Sequence, residues 1–375
     1  MDLPKTAESV GISLQRLEGM LERIVKLSRW PDPRLFRFEK AVSGVEAGTV
    51  IFENGEIVYG YPKIKRAMML EPALKRFFPD RVAVEEKMNG YNARVVRIGE
   101  EVVALTRGGF ICPYSTEVVR ERISPQVFRD HPDIVLCGEM VGPHSPYVPK
   151  DVYPVDSLEF YLFDVARKAK KDVQDLESTH RLAEEYGIEC VSLFGVFDAG
   201  KAPEEIKKIV ERLGREGREG VVLKDPRNMV RPIKYTSSES NCADLRFAFR
   251  YYNDYGRDFI FSRVVREGFQ AVEWNDSKKE FQKRCLRLGE SILASMGETI
   301  RERMAQDTIV QRVQIKVKRL QTARDLERHL RYMGIRVVFG QPEPLDDGYG
   351  YLVRIEKLAM STNDKTKSMI EGDLW

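Results

Sequence analysis

From about Pro62 to Lys234 the sequence is divided into short β-branched and aromatic runs, and this pattern constrains the fold more than anything else in the chain. The runs are Val82-Ala83-Val84, Ala93-Arg94-Val95-Val96, Val102-Val103-Ala104-Leu105, Ile134-Val135-Leu136-Cys137, Phe160-Tyr161-Leu162-Phe163 and Val221-Val222-Leu223. Helical patterns around 175–186 and 203–213 interrupt them. This order predicts an α+β domain over 62–236 built on antiparallel sheets, with strand ends as the places for chemistry.

The flanks read differently. Leu14, Leu17, Leu21, Ile24 and Leu27 recur at helical steps and predict one amphipathic helix stopping before Trp30-Pro31. Thr49-Val50-Ile51-Phe52 and Ile57-Val58-Tyr59 flank Asn54-Gly55, a hairpin turn whose two residues are expected to supply positive φ angles. Residues 1–61 are therefore a small N-terminal module. Beyond Thr236, Phe281, Cys285, Leu288, Ile292, Met296 and Ile300 trace a helical stripe, placing a helical domain over 237–317. A helix through Leu326, Leu330 and Met333, then strands at Val337-Val338-Phe339 and Tyr351-Leu352-Val353-Arg354-Ile355, predict a small domain over 318–375. Residues 276–336 hold fifteen Lys or Arg against eight Asp or Glu, the one locally basic segment in a chain of net charge +3. That run is either a solvated face or a support for a phosphate backbone.

Several classes are disfavoured. A hydrophobic fraction of 42% is that of a globular protein. Cys112, Cys137, Cys190, Cys242 and Cys285 form no CxxC pair, which fits a reducing cytosol. No apolar run reaches membrane-spanning length, and the N-terminus has no signal-like core, so secretion and membrane insertion are not expected. His131, His144, His180 and His329 lack zinc spacing, and there is neither a nucleophile elbow nor a GxxxxGK[ST] loop.

The segment Glu86-Lys87-Met88-Asn89-Gly90-Tyr91-Asn92-Ala93-Arg94 places a lysine at a strand end, with a glycine three residues on that lets the backbone pass close to a ligand. Alone, that tetrapeptide says little. Downstream, in order, come Thr106-Arg107-Gly108-Gly109, Leu136-Cys137-Gly138-Glu139-Met140, Phe160-Tyr161-Leu162-Phe163-Asp164-Val165, Arg218-Glu219-Gly220-Val221-Val222-Leu223-Lys224 and Arg231-Pro232-Ile233-Lys234-Tyr235. The series resembles the motifs of the covalent nucleotidyltransferases, the ATP-dependent ligases and capping enzymes. EKxxGxN, with Asn92, resembles the RNA ligase branch. Over essentially its full length the chain resembles the archaeal ATP-dependent RNA ligase family.

The resemblance implies an antiparallel-sheet, ATP-grasp-like ligase core, a helical dimerisation domain and a small α/β C-terminal domain. It implies that Lys87 takes AMP from ATP with Mg2+ or Mn2+ and passes it to an RNA 5′-phosphate, which a 3′-hydroxyl then displaces within or between strands. An attacking lysine must be unprotonated, so burial and the positive charge of a metal, Arg94, Lys224 and Lys234 are expected to lower its pKa. Arg107 and Glu139 would hold the ribose, Phe163 rather than Phe160 would stack on adenine, and Glu219 would place the metal. Lys224 and Lys234 would contact the α-phosphate, Asn92 would assist the lysine, and Glu85 and Glu86 count with them as nucleotide-binding residues. One departure is Pro232, where the usual Lys-x-Lys motif has its first lysine, leaving Lys234 with Arg231 nearby.

Taken singly, Glu139 and Glu219 read as salt-bridge partners, Arg107 as a turn residue and Lys234 as a solvated charge; the ordered series outweighs these readings. A DNA ligase or GTP-using capping enzyme, and a non-catalytic RNA-binding dimer, remain alternatives.

Overall fold

A computed structural model describes residues 3–21, 23–28, 33–346, 348 and 350–374. Two sheets form the centre of the molecule. One is five-stranded, ordered Leu193–Asp198, Arg81–Lys87, Gly220–Lys224, Ile233–Thr236 and Lys65–Arg66, all antiparallel except the last pair. The other is four-stranded and antiparallel, ordered Glu159–Arg167, Ile134–Val141, Tyr91–Ile98 and Glu101–Thr106. Every expected central run falls inside one of these strands, and the two expected helices span Leu176–Tyr186 and Ala202–Arg215.

Alternation of side chains along a strand decides which face does what. In the five-stranded sheet Val82, Val84, Val221, Leu223, Ile233 and Tyr235 join the core beneath the Leu70–Phe77 and Ala202–Arg215 helices. The alternate residues, Glu85, Lys87, Lys224 and Lys234, therefore share the opposite face, towards the second sheet. Gly90 makes the turn between the sheets: a Cβ there would lie 2.1 Å from the Met140 carbonyl oxygen. The requirement for glycine here includes close approach of backbone to backbone, and Gly90 also lines the space between the sheets.

The N-terminal module departs from the single expected helix. Helices span Leu3–Val10 and Leu14–Glu18, and Ile24 and Leu27 lie beyond the second, Leu27 within a strand, Val25–Ser28. Gly11, at φ +70°, ends the first helix in the left-handed region, and the β-branched Val25 opens a strand whose ends are buried. The expected stop at Trp30-Pro31 lies outside the described residues. In the 50–58 hairpin only Gly55 has positive φ, +89°; Asn54 instead accepts the Glu56 N–H through its side chain, giving a three-residue loop in place of a two-residue turn.

After Thr236 come helices Ser238–Arg250, Arg257–Glu273 and Lys278–Met304. The last carries the apolar stripe, exposed at Phe281, Cys285 and Ile300 and half-buried at Leu288, Ile292 and Met296; the helix fully buries Arg284, Ser291, Ser295 and Thr299 instead, and exposes Leu286 and Leu293 outside the stripe. The C-terminal sheet takes its first strand from Val310–Val317, before the boundary expected at 318, because that strand pairs along its length with Tyr351–Leu358. The basic segment is consequently spread over a helix, a strand and the Leu320–Tyr332 helix. Arg284, Arg287, Arg312, Lys318, Arg319 and Arg331 in it are ion-paired, so it is no continuous cationic face.

Candidate active site

Between the two central sheets lies a cavity of about 550 Å3. Its walls include Glu85, Glu86, Lys87, Asn92, Arg107, Glu139, Phe163, Lys224 and Lys234, together with Tyr61, Lys63, Phe110, Tyr147 and Met333, which the sequence did not single out. Tyr61 and Lys63 belong to the link between the N-terminal module and the central sheets, and Met333 follows the Leu320–Tyr332 helix, so three parts of the chain close one space.

Lys87 sits opposite Gly220, which brings the preceding residue, Glu219, to the same strand end. Their charged groups are 2.9 Å apart. Burial alone would lower the Lys87 pKa, but Glu219 and then Glu139 outweigh it and raise it. The expected lowering is therefore not found among the protein's own groups, because the charges nearest the amine are carboxylates. Lys234 behaves as Lys87 was expected to: burial, then the neighbouring Lys87 ammonium, press its pKa down to about 8.

Asn92 and Glu139 are partners across adjacent strands and face the cavity. Burial, against the pull of Lys87, raises the Glu139 pKa to about 7. The Asn92 side-chain oxygen is buried with no hydrogen-bond partner. An orphaned oxygen whose strand partner is the Glu139 carboxylate suits a hard divalent cation that takes its remaining ligands from phosphate and water. Among the described residues no three or more His, Cys, Asp or Glu cluster as a closed metal cage.

A bulge between Leu162 and Asp164 shifts the register so that consecutive residues serve the inter-sheet space. The Phe163 ring lines the cavity and meets Tyr61 edge-on at 5.1 Å, whereas Phe160 lies in the core. Asp164 turns to Lys224. The Lys224 ammonium donates to Glu85 at 2.7 Å, Asp164 at 2.9 Å and the Phe163 carbonyl at 2.6 Å, and Tyr61 also donates to Asp164. All three Lys224 donors are thus engaged within the protein, and the expected α-phosphate contact is not the role its geometry shows.

Two further expectations are corrected. Arg94 does not reach the cavity: its guanidinium donates to the carbonyls of Tyr59 at 2.6 Å, Gly48 at 2.8 Å and Thr106 at 3.0 Å, fastening the N-terminal module to the sheet. Arg231 is exposed and pairs with Glu46, so it does not accompany Lys234. Glu86 lines the cavity, and its carboxylate is held there by Arg218 at 3.0 Å. Asp164 could have been found from its place in the FYLFDV run; Tyr61 and Met333 carry no local signal, since only the tertiary fold brings them to the cavity.

This fold and site are those of an RNA-ligase-type protein. The RNA ligase family model matches residues 80–236, and the model of the Ligase Pab1020 C-terminal region matches 247–373. An archaeal ATP-dependent RNA ligase solved in two forms is 38% identical, with TM-scores of 0.94 and 0.93 and complete coverage of both chains. An uncharacterized Methanocaldococcus jannaschii protein is 37% identical over 100% of this chain and 97% of its own. A putative ATP-dependent DNA ligase from Aquifex aeolicus is 25% identical, with a TM-score of 0.89 over 96% of this chain and 98% of its own. The chain belongs to the archaeal ATP-dependent RNA ligase family.

Proposed function

We propose that Lys87 attacks the α-phosphorus of ATP, releases pyrophosphate and carries AMP to the 5′-phosphate of an RNA strand, whose 3′-hydroxyl partner then seals the ends and frees AMP. The carrying observation is the Lys87 amine on the cavity face between Glu219 and Glu139, with Lys234 on the same sheet face. Phe163 stacks on the base, Arg107 and Glu139 hold the sugar, and Lys234 meets the phosphate. Glu85, fixed by Lys224, lines the same cavity. Glu219 and the unpartnered Asn92 oxygen would hold Mg2+ or Mn2+. A bound divalent cation supplies charge that offsets Glu219 and favours the neutral amine.

Protein incubated with α-labelled ATP and magnesium is expected to carry label, and Lys87→Ala to carry none; label on that variant rejects the assignment. Parallel sealing of RNA and DNA ends separates an RNA ligase from the DNA ligase reading, and GTP in place of ATP tests capping.

The exposed Phe261, Phe269 and Val272 on one helix and Leu286, Leu293 and Ile300 on the next cover the helical domain with an apolar face. A helix that buries arginine and serine while exposing leucine is built for an apolar partner. Its occupant is a second copy of the chain. No helix among the described residues is long and apolar enough to cross a membrane. The five free cysteines support a reducing, cytoplasmic setting.

A further inference from the structure

Pro232 removes a cation from the motif that ends in Lys234, yet a second cation stands beside Lys234 from elsewhere in the chain. The Lys65–Arg66 strand pairs parallel with Ile233–Thr236, with Arg66 directly opposite Lys234. Register partners on adjacent strands share a face, so Arg66 and Lys234 project to the same side.

The Arg66 guanidinium is anchored by neutral acceptors. It donates to the Thr236 hydroxyl at 2.9 Å and to the Asn241 side-chain oxygen, and Asn241 is held in turn by its amide, which donates to Glu267 at 2.9 Å. The charges acting on Arg66 include Arg263, Glu219 and Asp244, but Arg263 pairs with Asp244 at 2.7 Å and Glu219 with Lys87. The half-buried Arg66 charge is left without a carboxylate of its own. Unlike Lys234, Arg66 does not line the nucleotide cavity; it lies alongside, towards the helices that follow Thr236.

We propose that Arg66 binds the terminal 5′-phosphate of the incoming strand and holds it for attack on the adenylate carried by Lys87. This rests on the ligase reading of the same site. In the step it serves, an oxygen of the 5′-phosphate forms a bond to the AMP phosphorus as the bond from phosphorus to the Lys87 nitrogen breaks, and the nitrogen takes a proton from solvent. A guanidinium outside the cavity but in register with Lys234 suits a phosphate arriving from solvent, and its planar fork suits a dianion.

The test separates two half-reactions in wild type, Arg66→Ala, Arg66→Gln and Arg66→Lys: labelling by ATP, and single-turnover transfer of AMP from labelled protein to 5′-phosphorylated RNA. Transfer is expected to fall at least about 30-fold more than labelling in the alanine and glutamine variants, with part restored by lysine. Glutamine retains a donor for Thr236 and Asn241, which guards against loss of the fold. Transfer that falls no more than labelling overturns the proposal. So does an equal fall in the return of AMP from labelled protein to added pyrophosphate, which assigns Arg66 to the leaving group of ATP. Wild type that takes no label from ATP would instead defeat the ligase reading itself.

Discussion

The ammonium of Lys87, a residue of the cavity wall, lies 2.9 Å from the carboxylate of Glu219, which immediately precedes the adjacent strand. The carboxylate favours the charged form of Lys87 and outweighs the effect of burial. Replacing Glu219 by Gln removes the first charge that raises the Lys87 pKa and leaves burial opposed chiefly by Glu139. The Lys87 titration, followed by NMR of the isotopically labelled side chain, is expected to move to lower pH. Labelling by ATP is expected to fall on the order of 100-fold, since the proposed metal ligand is lost as well. A Lys87 titration that stays in place refutes the electrostatic account.

The two phenylalanines of one strand should respond oppositely. Phe160→Ala opens a core cavity and is expected to lower stability by about 3–5 kcal/mol in urea unfolding. Phe163→Ala should cost much less stability but weaken ATP binding about tenfold, by loss of stacking. Calorimetric titration with ATP checks the second half, and equal ATP affinity in Phe163→Ala removes that ring from the site.

Arg94 is expected to matter for folding rather than chemistry. Arg94→Ala strands three buried carbonyls, a loss of about 3 kcal/mol or more. Loss should be read first in proteolysis of the first 60 residues. A variant of unchanged stability would contradict the fastening role.

His329 gives a pH signature. It is buried, its Nε2 is 2.9 Å from the Tyr147 hydroxyl, and burial presses its pKa down to about 4. Above an unfolded pKa of about 6.5 both states are neutral there. As pH falls below it, the unfolded chain takes a proton that the folded chain refuses, and stability is lost down to about pH 4. Wild type should lose about 2 kcal/mol more than His329→Gln between pH 7 and pH 5. Parallel unfolding curves at the two pH values decide it.

Much of this molecule could be read in advance where side-chain period and motif order agree. The central strands have period-two patterns, and the same period puts Glu85, Lys87, Lys224 and Lys234 on one sheet face. What escaped depends on contacts distant in sequence. Arg94 carries the same charge whether it meets phosphate or three carbonyls. Lys224 is consumed by Glu85 and Asp164, a partnership visible only after the sheets are packed together. Leu21, Ile24 and Leu27 fit a helical step, but Gly19 and the β-branched Ile24 and Val25 break it in favour of a turn and a strand. The stripe on Lys278–Met304 is half-buried at Leu288, Ile292 and Met296 and exposed at Phe281, Cys285 and Ile300, a division that only the packed structure shows.

The apolar face offers a direct check of assembly. Light scattering should give a mass near twice 43.2 kDa, and Leu293→Glu should return it to the monomer value. A monomeric wild type removes the second copy from the proposal.

The cavity is walled by Tyr61, Phe163 and Met333, which come from three segments of the chain. Whatever fills it therefore acts as a rivet through all three, and its binding free energy is shared among them. Nucleotide at about 100 times its dissociation constant would add about 2.7 kcal/mol to the native state. The same linkage runs backwards: a change that loosens the N-terminal 60 residues or the Leu320–Tyr332 helix, far from any reacting atom, is a change in nucleotide affinity.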